Sequence, residues 1–208
     1  MPNETAFNPL DKSNLGKSVV EALLESEESS LGRVGKFTGA GVYAIYYRGN
    51  FEHYAPLAAL NKSGGVHPIY VGKAIPKGGR KGASMDVSTS SKALCKRLQE
   101  HAATIDAVKS LKLDDFTYRR LLVDDVWISL GESLVIHKFQ PLWNNVVEGF
   151  GNHDPGGGRY KGRRPLWDEL HPGRRWAAKC TAPKLTKAQI ISAVAAYMNA
   201  LQEEPPQV

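Results

Sequence analysis

The stretch "GVYAIYY" at residues 41–47 decides how this chain folds. Valine, isoleucine and tyrosine are good strand formers, so it reads as a buried strand with phenol groups at one rim. "PIYVGKA" at 68–74 is a second short apolar run, again with a tyrosine, a glycine and then a lysine. If the two strands pair, their tyrosines come together. The 48–66 segment between them is too long for a tight hairpin turn and has room for a short helix.

Working outward, "SNLGKSVVEALLESEE" at 13–28 sets Leu15, Val19, Val20, Leu23 and Leu24 at helical spacing, which predicts an N-terminal helix packed on the main body. "SSKALCKRLQEHAATIDAVKSL" at 90–111 places Leu94, Leu98, Ala102 and Ile105 on one stripe of a helix capped by Ser90 or Ser91. "FTYRRLLVD" at 116–124 reads as a third strand, and "DVWISLGESLVIHKF" at 125–139 as a long helix stopped by Pro141. A last helix follows Pro183, with Thr186 and Gln189 as a capping box and Ile190, Val194, Tyr197 and Leu201 as its apolar stripe. The order strand, strand, helix, strand, helix predicts an α/β (α+β) fold: a small mixed sheet of about three strands flanked by helices.

Hydrophobic residues make up 42% of the 208-residue chain, ample for a core. The N-terminus has no positive-then-apolar pattern and the apolar stretches fall short of a bilayer, so a cytoplasmic protein is expected. Cys95 and Cys180, far apart and without a Cys-x-x-Cys partner, read as free thiols. The net charge of +6 is unevenly spread: residues 1–32 hold two Lys against six acids, leaving 25 basic against 15 acidic residues from Arg33 onward. Such a body suits a polyanion, nucleic acid first. From about residue 149 the chain turns rich in Gly, Pro and Arg, with Tyr160, Trp167 and Trp176 interspersed; three large aromatics predict docking on the body rather than a loose tail.

Several chemistries drop out. No Asp or Glu is followed two positions later by Lys, so the commonest nuclease carboxylate pattern is absent, and "GKAIPKGG" and "GRVGKF" both miss the phosphate-loop spacing of an NTPase. The histidine of "GNHD" reads as surface chemistry. Arg97 and His101, four apart, share a helix face. Glu132 is a lone acid among Ile128, Leu130, Leu134, Val135 and Ile136, and burying it alone would be costly.

Gly41–Tyr43 ("GVY"), Tyr70–Gly72 ("YVG"), Arg97, Glu132 and Asn144, in this order and on these elements, resemble the GIY-YIG nuclease superfamily. The tripeptides alone are weak signals; the ordered set is specific. Within it, "GAGVYAIYY", "PIYVGKA", Arg97 with His101, "PLWN", "GFGNHDPG" and "HPGRRWAAKC" are most similar to the type II restriction endonucleases that cut CCGCGG, the SacII isoschizomers. The resemblance runs from about residue 38 to 181; with the helix patterns and the change of composition, the chain is expected to divide into a helical extension (1–35), a nuclease core (36–148) and a basic extension with a terminal helix packed on the core (149–208).

The resemblance implies a catalytic set of Tyr43, Tyr70, Arg97, His101, Glu132 and Asn144. Glu132 holds one Mg2+, for which Mn2+ can substitute, and water is the nucleophile. Tyr43 is the candidate base, its pKa drawn below the usual value of about 10 by cations for which Lys73, Arg97, the metal and His101 are the available sources. In the alternative, His101 takes the proton through Tyr43. Arg97 and Tyr70 stabilise the phosphoryl charge, and Asn144 orients the site. The candidates for DNA contact are Lys73, Lys77, Arg80, Lys81, Arg159, Arg163, Arg164, Arg174 and Arg175. The partners implied are double-stranded DNA, a second copy of the chain because a palindrome presents two equivalent strands, and a cognate DNA methyltransferase. The competing readings are a catalytically silent DNA-binding module on the same fold and a GIY-YIG nuclease of another specificity.

Overall fold

The computed structural model describes residues 11–76 and 89–203. The two tyrosine strands do pair. Strand β2 (Gly41–Tyr47) lies antiparallel to β3 (Tyr70–Ala74), with Tyr43 opposite Gly72 and Ile45 opposite Tyr70. On its other side β2 pairs with β4 (Phe116–Leu122), and β4 with a two-residue strand β1 (Ser29–Ser30), giving the order β1-β4-β2-β3. The expected α/β class holds, with one correction: among the described residues every pairing within the sheet is antiparallel, so it is not mixed, and it has four strands. β1 escapes sequence reading because two serines carry no strand periodicity.

Every residue of β2 is buried, because both faces of the sheet are covered. On one face Val42, Ala44 and Tyr46 meet Val20 and Leu23 of helix α1 (Lys12–Glu25) and Val135 and Phe139 of a long helix, Asp125–Phe139. On the other, Tyr43, Ile45 and Tyr47 share a larger core with Leu94, Leu98 and Ile105 of α3 (Ala93–Asp106), which follows the short α2 (Ala55–Leu60) of the 48–66 segment. The long helix is α4; it ends at Gln140, which turns left-handed (φ 44°) just before Pro141. Next come the short α5 (Leu142–Asn145) and α6 (Leu166–Leu170), then α7 (Lys187–Glu203).

The basic C-terminal segment is part of the larger core. Phe150, Trp167, Leu170, Ile190, Val194, Met198 and Leu201 belong to the same apolar cluster as Tyr43. Each such side chain taken fully from water contributes about 1.5–3 kcal/mol, so the segment is firmly held. Met198 joins the α7 stripe that sequence spacing had placed on Tyr197, which is only half-buried. The capping box forms as expected, whereas the cap position of α3 is Lys92 and not Ser90 or Ser91, with Ser91 one residue earlier. Thr186 and Gln189 exchange backbone N–H bonds at 2.9 and 3.3 Å, and the Ser91 hydroxyl accepts from Ala93 N–H at the start of α3. Among the described residues no helix is long and apolar enough to cross a membrane, and no group of three His, Cys, Asp or Glu is placed to hold a metal.

Candidate active site

The glycines of the two tripeptides are there for space. Gly41 has φ 153° and lies so close to β4 that a Cβ would fall 2.0 Å from Leu121 O; a Cβ on Gly72 would lie 2.4 Å from the Tyr43 hydroxyl. The Tyr43 side chain therefore lies across the neighbouring strand and reaches helix α3. Its Oη is 2.6 Å from His101 Nε2, a wholly buried contact, and the Tyr70 ring sits 6.3 Å from the Tyr43 ring and 5.2 Å from His101.

Arg97, one turn before His101 on α3, closes the cluster. Its Nη2 donates to Gly151 O at 2.6 Å, and its Nη1 reaches His153 Nε2 at 2.5 Å and Glu100 Oε2 at 3.3 Å. The Phe150 ring stacks on His101 at 4.6 Å and 17°. Gly151 passes so near Tyr70 that a Cβ would lie 2.4 Å from the phenol oxygen. The loop 149–153 is thus one wall of the cluster.

Glu132, from α4, pairs with Lys73 of β3 at 2.8 Å, the two side chains being 19% and 33% exposed. Gly131 lets this helix approach β2, where a Cβ would lie 3.3 Å from Val42. Asn144 binds backbone rather than facing the phenols: its Oδ1 accepts from Val71 N–H and its Nδ2 donates to Val71 O, both at 2.9 Å. It fixes β3 at the residue between Tyr70 and Gly72.

Burial pushes the Tyr43 phenol well above its ordinary pKa, and the neighbouring Tyr70 adds to this; Arg97 pulls the other way without prevailing. Tyr70 is raised by burial as well, again against the pull of Arg97. His101 is held well below 6.5, first by burial and then by the charges of Arg97, His153 and Arg174. Arg97 alone therefore does not draw the Tyr43 pKa below its ordinary value: burial outweighs it, and a protonated phenol faces a neutral imidazole.

Of the proposed DNA-contacting residues, Lys77, Arg80 and Lys81 lie outside the described residues. Arg159, Arg163 and Arg175 are exposed, and the first two line a cavity of about 500 Å³ with Gly151, His153 and Trp176. Lys73 is engaged by Glu132, and Arg164 by Glu169 (2.8 Å) and Ala177 O. Arg174, expected on the DNA side, is buried, paired with Asp168 and turned toward the backbone of the 149–153 loop. His153, read as surface chemistry, is indeed exposed, though its ring meets Arg97; sequence reading missed Phe150, which only its place in the "GFGNHDPG" segment signalled.

A family model described as "Eco29kI GIY-YIG domain" matches residues 35–198, well over half of the chain and every residue of the cluster. No curated protein matches the chain.

Proposed function

The chain belongs to the Eco29kI GIY-YIG domain family, and on that premise we propose that it is a site-specific type II restriction endonuclease. It hydrolyses both strands of a short GC-rich palindrome, leaving 5′-phosphate and 3′-hydroxyl ends. Eco29kI is a SacII isoschizomer, and CCGCGG is the site carried over from that likeness. The enzyme acts as a homodimer in the cytoplasm, beside a cognate DNA methyltransferase that protects host sites. The observation that carries the reading is the buried 2.6 Å contact between Tyr43 and His101, with Tyr70 and Arg97 on the same small surface.

The residues fit a magnesium ion. A single carboxylate, Glu132, suits a hard cation that keeps several waters and takes other ligands from substrate phosphate. Glu132 would hold the ion, which would supply Lewis-acid polarisation of the phosphate and charge compensation at the leaving oxygen. Lys73, paired with Glu132 at 2.8 Å, would then be released toward the DNA backbone.

The chain's own residues handle the proton. Water loses its proton to Tyr43 Oη as the phenol's own proton passes to His101 Nε2, so neither a free phenolate nor a charged imidazole is needed beforehand. Of the two alternatives, the 2.6 Å contact supports this one, because it offers the phenol's proton a neutral acceptor. Bond formation by the water oxygen expels the 3′ oxygen, which takes a proton from solvent. Arg97 exchanges His153 and Glu100 for a phosphate oxygen, and Tyr70 donates to another, both stabilising charge that grows in the transition state. The test is cleavage of a duplex carrying CCGCGG against duplexes with one base pair changed, with and without magnesium. Cutting confined to the intact site supports the reading; equal cutting of all duplexes refutes the specificity, and no cutting refutes the activity.

A further inference from the structure

Loop 149–153 is shared between two arginines. Arg174 donates to three of its carbonyls: Nη2 to Gly149 O at 2.8 Å, and Nη1 to Phe150 O at 3.1 Å and Asn152 O at 2.8 Å. The carbonyl skipped, that of Gly151, is the one that receives Arg97. The two remaining N–H groups of Arg174 go to Asp168, Nε to Oδ1 at 2.6 Å and Nη2 to Oδ2. All five guanidinium donors are used. The group also lies between two indoles, 4.9 Å from Trp167 and 4.7 Å from Trp176. A buried charge so completely satisfied is a fixed point, and the loop is wrapped on it.

We propose that Arg174, locked on Asp168, is a positioning residue for the cleavage centre: by holding the carbonyls of Gly149, Phe150 and Asn152 it sets the Phe150 ring against His101 and aims the Gly151 carbonyl at Arg97. This rests on the nuclease reading, and it moves Arg174 from the DNA surface to the support of the site. Lysine cannot replace it, since three donors on a flexible stem do not span five fixed acceptors. Freed from its anchor the loop loosens, and His101 meets water beside Tyr43, Tyr70, Arg97 and His153, the groups that face it in the cluster.

The test is Arg174→Lys with two readouts. Single-turnover cleavage should fall at least about tenfold while DNA affinity changes less than about threefold, the split expected when reacting groups are misplaced and the binding surface is kept. Independently of cutting, NMR titration of His101 in the DNA-free variant should move up toward about 6.5, the value of an unburied histidine. An unchanged His101 titration, or rate and affinity falling by the same factor, overturns the proposal. If the wild type cuts nothing yet the variant shifts the titration, the nuclease reading fails and the positioning role stands. Should Arg174→Lys not fold, Trp176→Leu removes one aromatic face from the guanidinium without unpairing a charge. The same two readouts then decide, and a variant that matches the wild type in both overturns the proposal.

Discussion

Replacing Tyr43 by Phe removes one oxygen from the centre of the proposed machinery and leaves the ring in its place between β2, β3 and α3. The lost atom is the buried partner of His101 Nε2 at 2.6 Å. A buried acceptor left without its donor costs about 1–3 kcal/mol, so the variant should remain folded, with Tm lowered by roughly 2–12 °C for a chain of this size. Turnover should fall much further, by at least about a hundredfold, because no other group takes the water's proton at that point. The pH profile separates the two routes for that proton. A free phenolate base would make the wild-type rate climb about tenfold per pH unit toward the phenol's own pKa, which burial has raised. A relay to His101 needs only a neutral imidazole, and since that group titrates well below 6.5 the rate should be nearly level from about pH 7 to 9. The assay is single-turnover cleavage of an end-labelled duplex across that range. A Phe variant within a fewfold of wild type, or a wild-type rate that keeps climbing with pH, would refute the relay.

Glu132→Gln should lower cleavage by about a thousandfold or more, the effect of losing several kcal/mol of metal-borne charge stabilisation, while specific DNA binding by gel shift holds or tightens. Equal losses of binding and cutting would make Glu132 structural. Gly72→Ala pushes a methyl to within 2.4 Å of the Tyr43 hydroxyl, so cleavage should drop about as far as in Tyr43→Phe, at an overpacking cost of about 1–3 kcal/mol measured by denaturant unfolding. Stability should fall in acid. Burial holds His67 at about 4 and His171 at about 3, both below the unfolded value of 6.5. The unfolded chain therefore takes up protons first: their contribution is complete above about 6.5 and lost as pH falls toward the folded values, about 2 kcal/mol for each between pH 7 and 5. Urea unfolding at those two pH values checks it, and equal stabilities would contradict it.

Much of the fold was legible because its elements carry their own periodicity. The seven residues at 41–47 and the stripe Leu94, Leu98, Ile105 announce a buried strand and an amphipathic helix without help from the rest of the chain. The cluster was legible for another reason: Tyr43, Tyr70, Arg97 and Glu132 are chemically conspicuous and fall in a specific order. What sequence could not supply was direction. Arg174 and Arg175 are adjacent and identical, yet one is enclosed by Asp168 and two tryptophans and the other faces solvent, a difference set by contacts distant in sequence. Asn144 was expected to orient the site, and its reach to both backbone groups of Val71 appears only once α5 is packed against β3. The weight of burial on the Tyr43 pKa was not legible for the same reason: counting nearby cations captures attraction, whereas the desolvation that opposes it depends on the closed core.

The decisive measurement is incubation of the wild-type protein with mixed genomic DNA and magnesium, followed by sequencing of every newly made end. The 5′-phosphate ends should all fall within one short palindrome, CCGCGG, and none should form when magnesium is chelated. Ends scattered without a common sequence, or DNA left whole at protein concentrations that bind it, would contradict the site-specific nuclease reading.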